Sequence, residues 1–400
     1  MRFSHAVAAV QLIAAGLVAA VPTDSAPAVD IDPTVEPLDA LAQLQDSVYG
    51  TLEQKEEVLS KRGLRPNSCN LFTAAVRRDW EFMSKPERKD YIKAVKCLQS
   101  KPAKSDPLWA PAAKSRYDDF VAIHVNLTMT IHGNGLFLTW HRYFVWAYEQ
   151  ALRNECGYKG YQPYWNWFAH TDDIHKSPVF DGSDTSMGGD GSFVKHNGSL
   201  AGASTIYIPS GQGGGCINSG PFKGMQANIG PIRPGMDGVA PIVADITQPN
   251  PRCLRRDLSS YIPKKWYTTT NLLNVTIGEG SWTHKRFWTE IQGRYPDGFL
   301  GLHTSGHYTM GGDATDLYSS VNDPAFFLHH TMLDRVYWIW QTLHPSEANK
   351  VAGTLTLSNK PPTRDATIDE PLELGVNGET RRIRDMFNTL GGTPLCYIYI

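Results

Sequence analysis

The sequence predicts a mainly α-helical fold, on three observations. Apolar residues recur at helical spacing in five separate stretches, and helix-starting residues mark the start of a helix in two of them. A composition of 41% hydrophobic and 20% charged residues over 400 positions suits a globular chain with a sizeable core.

The chain begins Met-Arg-Phe-Ser-His, runs apolar from Ala6 to Ala20 and closes on Val18-Ala19-Ala20. A positive start, a short apolar run and small residues at its end read as a secretory signal peptide over residues 1–20, too short for a membrane span. Residues 21–62 are first Pro- and Asp-rich, then helix-like from Leu38 to Leu59, and end in Lys61-Arg62. They read as a pro-segment cleaved at the dibasic pair, leaving 63–400 as the working domain. The alternative is an exposed helix end with two solvated cations.

From Asn70 to Leu98 the spacing Leu71-Phe72, Val76, Trp80, Phe82-Met83, Tyr91-Ile92, Val95 predicts two helices broken near Ser84-Lys85-Pro86, with Ser84 an N-cap. His141 to Leu152 reads as a buried helix. Between about 180 and 245 the chain is dense in Gly, Ser, Asp and Pro, including Gly211-Gln212-Gly213-Gly214-Gly215, and reads as a long surface insertion. Helical spacing resumes over Trp282–Gln292 and Ala325–Leu343, the latter opened by Asn322-Asp323-Pro324. No fixed-period repeat is present, so two helical halves flank an irregular middle.

Lys+Arg of 38 against Asp+Glu of 40 leaves a net charge of −2, and no basic block is present to track a phosphate backbone. Nucleic acid is not an expected partner. Beyond the signal peptide no run approaches the roughly 20 apolar residues of a spanning helix, so a membrane is not expected either. The expected location is extracellular. The six cysteines, Cys69, Cys97, Cys156, Cys216, Cys253 and Cys396, allow up to three disulfides, in any of about 15 pairings. No Cys-x-x-Cys favours zinc, and Cys216 with Cys253 is a candidate closure of the loop-rich middle.

Leaving aside His5, six of the remaining histidines form two groups of three. His124, His132 and His141 are spaced by eight and nine residues; His303, His307 and His330 form the second group. His303 and His307 stand at i and i+4, on one helix face one turn apart, as two ligands of a single ion require. Taken alone, that spacing also fits a chance pair on a solvated face. His330 lies in a run so aromatic that it demands burial, and a buried histidine needs a partner. Imidazole trios without an evident carboxylate suit neither Mg²⁺ nor Ca²⁺ nor a typical dinuclear hydrolase. Copper fits best, because imidazole holds both its oxidation states; zinc stays open on ligand type alone.

The run His124-x7-His132-x8-His141-Arg142-Tyr143-Phe144 is joined by Gly301-Leu302-His303-Thr304-Ser305-Gly306-His307. It is joined also by Asp323-Pro324-Ala325-Phe326-Phe327-Leu328-His329-His330-Thr331-x-x-Asp334-Arg335. Together they resemble the tyrosinase, catechol oxidase and hemocyanin superfamily, and more closely its short secreted fungal polyphenol oxidases. The likeness covers roughly residues 70–399, with Val76-Arg77-Arg78-Asp79-Trp80 near its start and Tyr397-Ile398-Tyr399 at its end.

The resemblance implies a four-helix bundle ringed by irregular loops, with few short strands. It implies two copper ions, the first on His124, His132 and His141, the second on His303, His307 and His330. It further implies oxidation of ortho-diphenols by O₂ to ortho-quinones in a dry, aromatic-walled pocket, with copper as Lewis acid and redox centre. The pattern selects His330 over His329, which is left beside the site or merely packed. Asp334, one turn on, is a candidate to orient an imidazole N–H, or else pairs with an arginine. Phe326 is expected to wedge between ligand rings, or to be plain core.

Two departures favour diphenol oxidation over monophenol hydroxylation. Thr304 follows His303 where many hydroxylating members carry Asn, and no acid lies just before His303, so Glu290 is the nearest candidate for a water-holding carboxylate. Thr130 stands where some relatives carry a thioether-forming Cys. The chain stops just after Tyr399, so the C-terminal shielding domain of longer relatives is not expected. The rival readings are a biosynthetic phenol hydroxylase or ortho-aminophenol oxidase, a hemocyanin-like O₂ carrier, and a zinc-stapled secreted domain.

His170, His175, His196, His284 and His344 match no metal motif and read as ordinary exposed or hydrogen-bonded side chains. Asn126, Asn197 and Asn274 head glycosylation sequons. Asn126 lies two residues from His124, about 200° around a helix, so a glycan there points away from the metal.

Overall fold

The computed structural model describes residues 29–61, 68–202, 205–236, 242–243 and 248–400; the expected signal peptide and Arg62 lie outside them. The helices are α1 (Pro37–Lys61), α2 (Lys85–Ser100), α3 (Arg116–Ile131), α4 (Phe137–Cys156), α5 (Tyr261–Trp266) and α6 (Thr269–Thr276). They continue with α7 (His284–Gln292), α8 (Leu302–Met310) and α9 (Ala325–Leu343). Their starts follow local chemistry. Ser84 caps α2 through a reciprocal pair with Glu87, and Pro86 sits in the first turn; Ser115 and Asp118 do the same for α3. α4 ends at Gly157, whose φ of 71° is left-handed.

Every residue of α9 except Thr342 is buried, as expected of a helix apolar on all sides. α4, α8, α1 and α6 pack around it. α1, inside the expected pro-segment, is stitched to this axis. Leu41, Leu44 and Val48 are buried, the Tyr49 hydroxyl and Gln45 amide donate to the Tyr399 carbonyl at 2.8 and 3.0 Å, and Arg335 of α9 donates to Gln45 at 2.9 Å.

The strands are short and pair two by two. β1 (Ala75–Arg77) runs parallel to β10 (Tyr397–Tyr399). The antiparallel pairs are β2 (Gly191–Phe193) with β5 (Gly214–Ile217), and β3 (Ser199–Ala201) with β4 (Ile206–Ile208). β6 (Gln226–Ala227) pairs with β7 (Arg252–Cys253), and β8 (Pro371–Leu372) with β9 (Arg381–Arg382). The first of two helices expected over 70–98 is therefore absent: β1 and a single 3₁₀ turn at Trp80–Phe82 stand there. A strand partner from the far end of the chain, locked by the Cys69–Cys396 disulfide, outweighs local helical spacing.

The stretch from 180 to 245, read as a long surface insertion, is tied to the rest of the domain by specific bonds. Two carboxylates organise it: buried Asp257, just beyond the stretch, accepts from the Gly211 and Gly213 N–H groups at 2.9 and 3.0 Å, and half-buried Asp190 accepts from Gly191 and Leu258. Arg256 clasps Asp323, just before α9, at 2.6 and 2.7 Å with both side chains fully buried. Asp side chains satisfy the backbone donors of this segment, which composition alone does not reveal. Cys216–Cys253 closes this region, and Cys97–Cys156 joins α2 to α4. Among the described residues no helix is long and apolar enough to cross a membrane.

Candidate metal centre

α3 carries His124, and His132 forms its C-cap; α4 carries His141. α8 carries His303 and His307 on one face, and α9 carries His330. These four helices bring the six imidazoles into two clusters, the second of which also includes His329, each with its ligand-type atoms within 4.8 Å of one another.

In the second cluster the Nε2 atoms of His303, His307 and His330 form a triangle with sides of 3.1, 3.3 and 3.4 Å. Nitrogens about 2.0–2.1 Å from one ion at tetrahedral angles lie about 3.3–3.4 Å apart, so the triangle has the size of a metal cage. His307 Nδ1 donates to the Ala314 carbonyl at 3.1 Å.

In the first cluster all three Nδ1 atoms donate to backbone carbonyls: His124 to Tyr318 at 2.6 Å, His132 to Thr128 at 3.0 Å, His141 to Phe137 at 2.8 Å. Those bonds assign the neutral tautomer that leaves Nε2 with a free lone pair. The Nε2 atoms of His124 and His141 are buried and find no hydrogen-bond partner, the condition a metal would relieve. The clusters meet where His141 stacks on His330, ring centroids 4.6 Å apart.

Burial, reinforced by neighbouring imidazoles, pushes His124, His141, His303 and His330 well below the ordinary histidine value. Burial likewise lowers His132 to about 4 and His307 to about 3. All six are neutral at physiological pH, as ligation requires.

The residues expected around the ligands fall out as follows. Phe326 stacks on His330 at 4.0 Å and lies 5.4 Å from His124 and 5.8 Å from His307, touching both trios. Asp334 meets no imidazole. Its carboxylate accepts from Arg142, Arg77, Tyr397 and Tyr399, because arginines from α4 and β1 reach it first, so the ion-pair alternative replaces the imidazole-orienting role. The Thr304 hydroxyl donates to the Gln292 carbonyl and pairs with the Tyr295 hydroxyl, both at 3.0 Å. Glu290 is held by the Asn274 amide at 3.0 Å and by Arg294. His329 stacks on His303 and accepts the Trp167 indole N–H at 3.0 Å. Gly306 makes room for it, since a Cβ there would stand 2.1 Å from its ring.

His170 and His175 meet exposed or half-buried carboxylates, and His344 bonds the Thr276 carbonyl. His196 is buried against Asp257, and His284 against Trp340 and Tyr337. Sequence reasoning passed over Phe137, whose ring lies 4.9 Å from His141 and 4.8 Å from His303. Its position one turn before His141 was the available signal. Trp167 and the carbonyls of Tyr318 and Ala314 leave no such trace.

A helical bundle that presents two neutral imidazole trios ring to ring defines a dinuclear metalloprotein of the type-3 copper class. The chain belongs to the tyrosinase family, whose profile, described as the common central domain of tyrosinase, matches residues 114–343. Tyrosinase P of Aspergillus terreus is 36% identical over 336 residues, covering 81% of this chain and 91% of that one. An N-acetyl-6-hydroxytryptophan oxidase of Emericella nidulans is 34% identical over 348 residues, covering 83% and 93%. The solved structure of a polyphenol oxidase variant from Thermothelomyces thermophila superposes with a TM-score of 0.83 at 35% identity, over 92% of this chain and 100% of that one. The chain is accordingly a copper oxidoreductase with the helical tyrosinase fold.

Proposed function

We propose that His124, His132 and His141 hold one copper ion, that His303, His307 and His330 hold a second, and that the pair oxidises ortho-diphenols to ortho-quinones with O₂. The observation that carries this reading is the Nε2 triangle of 3.1–3.4 Å standing ring to ring with a second trio, in which the Nε2 atoms of His124 and His141 are buried and unpartnered. Copper, when bound, supplies a pair of one-electron centres that together match a two-electron substrate.

The chain's own residues do the rest. Backbone carbonyls fix the imidazole tautomers, burial keeps the rings neutral, and Phe137, Phe326 and Trp140 wall the site with apolar rings that exclude water. An ortho-diphenol leaves two electrons and two protons poorer, and O₂ from two such turnovers leaves as water. The Thr304 hydroxyl and the Glu290 carboxylate are already engaged, which supports diphenol oxidation over hydroxylation of monophenols. The Emericella relative's name supports a second reading, a biosynthetic oxidase of a phenolic metabolite.

Copper stoichiometry and oxygen uptake with catechol, tyrosine and ortho-aminophenol test both. Two coppers per chain and fastest uptake with catechol are expected. Faster uptake with the aminophenol moves the assignment to the second reading; copper without quinone leaves an O₂ carrier, and zinc without copper sinks both.

We further propose secretion through residues 1–20 and cleavage at Lys61-Arg62; three disulfides suit an oxidising compartment. N-terminal sequencing of the secreted protein should begin at Gly63, and a start well before it removes the cleavage. Glycans are expected on Asn126 and Asn197, both exposed. None is expected on Asn274, whose amide is bonded to Glu290 and Gly280 and whose sequon Thr276 is buried. Glycopeptide mass spectrometry reads all three, and an occupied Asn274 contradicts the assignment.

A further inference from the structure

Two metal sites that act on one molecule must keep a fixed separation, yet here they come from distant parts of the chain. His132 is the weak point. It stands at the end of α3, in the loop that leads to α4, rather than in the body of a helix.

That loop is tied to the end of α7. The Gly133 N–H, next to His132, donates to the side-chain carbonyl of Gln292 at 3.1 Å, and the Trp288 indole N–H donates to the Asn134 carbonyl at 2.8 Å. The main-chain carbonyl of the same Gln292 accepts the hydroxyl of Thr304, next to His303, at 3.0 Å. The Gln292 amide turns back to the Trp288 carbonyl at 3.3 Å, which fixes its rotamer. One residue that ligates nothing is thus bonded to the neighbour of a ligand in each trio.

The backbone around it has no slack. Gly293 and Gly301 both have positive φ, 112° and 75°, and a Cβ on either would stand 2.4 Å from main-chain atoms of the other segment. The end of α7 and the start of α8 therefore lie backbone against backbone, and a shift of one moves the other.

We propose that Gln292, seconded by Trp288, is a positioning residue that sets the separation of the two metal sites by clamping the His132 loop to the start of α8. The proposal rests on the reading that the six imidazoles hold a copper pair. It assigns Gln292 no contact with substrate or metal. Bonds from Thr354 and Ser358 hold the same loop from its other side, so removing the clamp leaves the fold supported.

The test uses the full chain and two substitutions. Gln292→Met keeps the length and removes the acceptor; Gln292→Glu keeps an acceptor for Gly133 and serves as the rescue. Each is loaded with copper, oxidised, and read for copper per chain, for the fraction of Cu(II) visible by electron paramagnetic resonance, and for the rate of copper loss to a chelator. A bridged Cu(II) pair is spin-coupled and silent; separated ions are visible.

The parent is expected to be silent with two coppers. Gln292→Met is expected to show visible Cu(II) and to lose copper about 10-fold faster, the low end of what outer residues of metal sites cost. Gln292→Glu should return toward the parent, and the melting temperatures of the metal-free forms should agree. A silent Gln292→Met with parental chelator resistance overturns the positioning role. A parent without a copper pair overturns the underlying reading as well. Should Gln292→Met fail to fold, Trp288→Phe breaks the other tie with a ring of similar shape and is read in the same way.

Discussion

Metal-free protein is expected to lose stability steeply as the pH falls from about 6.5 toward 4, and copper loading to postpone that loss. The sign follows from the imidazoles. In the folded chain burial holds all six below the ordinary value, His132 at about 4 and His307 at about 3. In the unfolded chain each titrates near 6.5. Between those values the unfolded state binds the extra protons, so stability is fully present above about pH 6.5 and drains as the pH drops toward the folded values.

Each imidazole contributes a slope of about 1.4 kcal/mol per pH unit across its window. Three acting together would remove about 4 kcal/mol in one unit, against a total stability of about 5–15 kcal/mol. Asp79, Asp190 and Asp316, which burial holds above the ordinary carboxyl value, oppose the trend only at the acid end. Bound copper requires neutral rings and competes with the protons, so the loaded protein should melt higher throughout the window. Melting curves of both forms from pH 7.5 to 4.5 measure the difference. A metal-free form whose melting temperature is flat over that range would show the imidazoles to be solvated.

How much of this centre was legible in the sequence depends on how local its physics is. The spacing of His303 and His307 is a property of one helix, and α8 supplies it. His330 lies in the apolar run that becomes α9, and capping signals at Ser84 and Asn322-Asp323-Pro324 mark where helices open, although Asp323 also serves Arg256. What escaped is long-range. Residues 70–83 have helical spacing, yet Ala75–Arg77 within them pair with Tyr397–Tyr399 because a disulfide and a buried arginine hold them there. Asp334 sits one turn from His330, which suggested an imidazole partner; nothing local shows that Arg77, Tyr397 and Tyr399 converge on it. The Asn274 sequon is intact as a motif, but its amide is consumed by a glutamate on the next helix.

Asp334→Ala is expected to destabilise the protein by about 3–5 kcal/mol, the cost of stripping one partner from a buried ion network. Arg77 and Arg142 face Glu149 and Asp334, and all four side chains are at most 3% exposed. Two positive charges thus balance two negative ones. Burial alone would raise the Asp334 carboxyl, but Arg142, Arg77 and the hydroxyls of Tyr397 and Tyr399 outweigh it and hold it below its ordinary value. Removing it takes a carboxylate partner from two buried guanidiniums, Arg77 and Arg142.

Asp334→Asn keeps the volume but not the charge, and should lose nearly as much. Chemical denaturation of the metal-free proteins reads the difference, and a loss below about 1 kcal/mol, the scale of an exposed pair, would mean the network is solvated. The network also spans the metal centre. Arg142 follows His141 on α4, Asp334 stands one turn beyond His330 on α9, and Arg77 pins both to the β1–β10 pair. The same substitution should therefore loosen copper in both sites together, whereas damage to the Gln292 clamp releases the His132 site first.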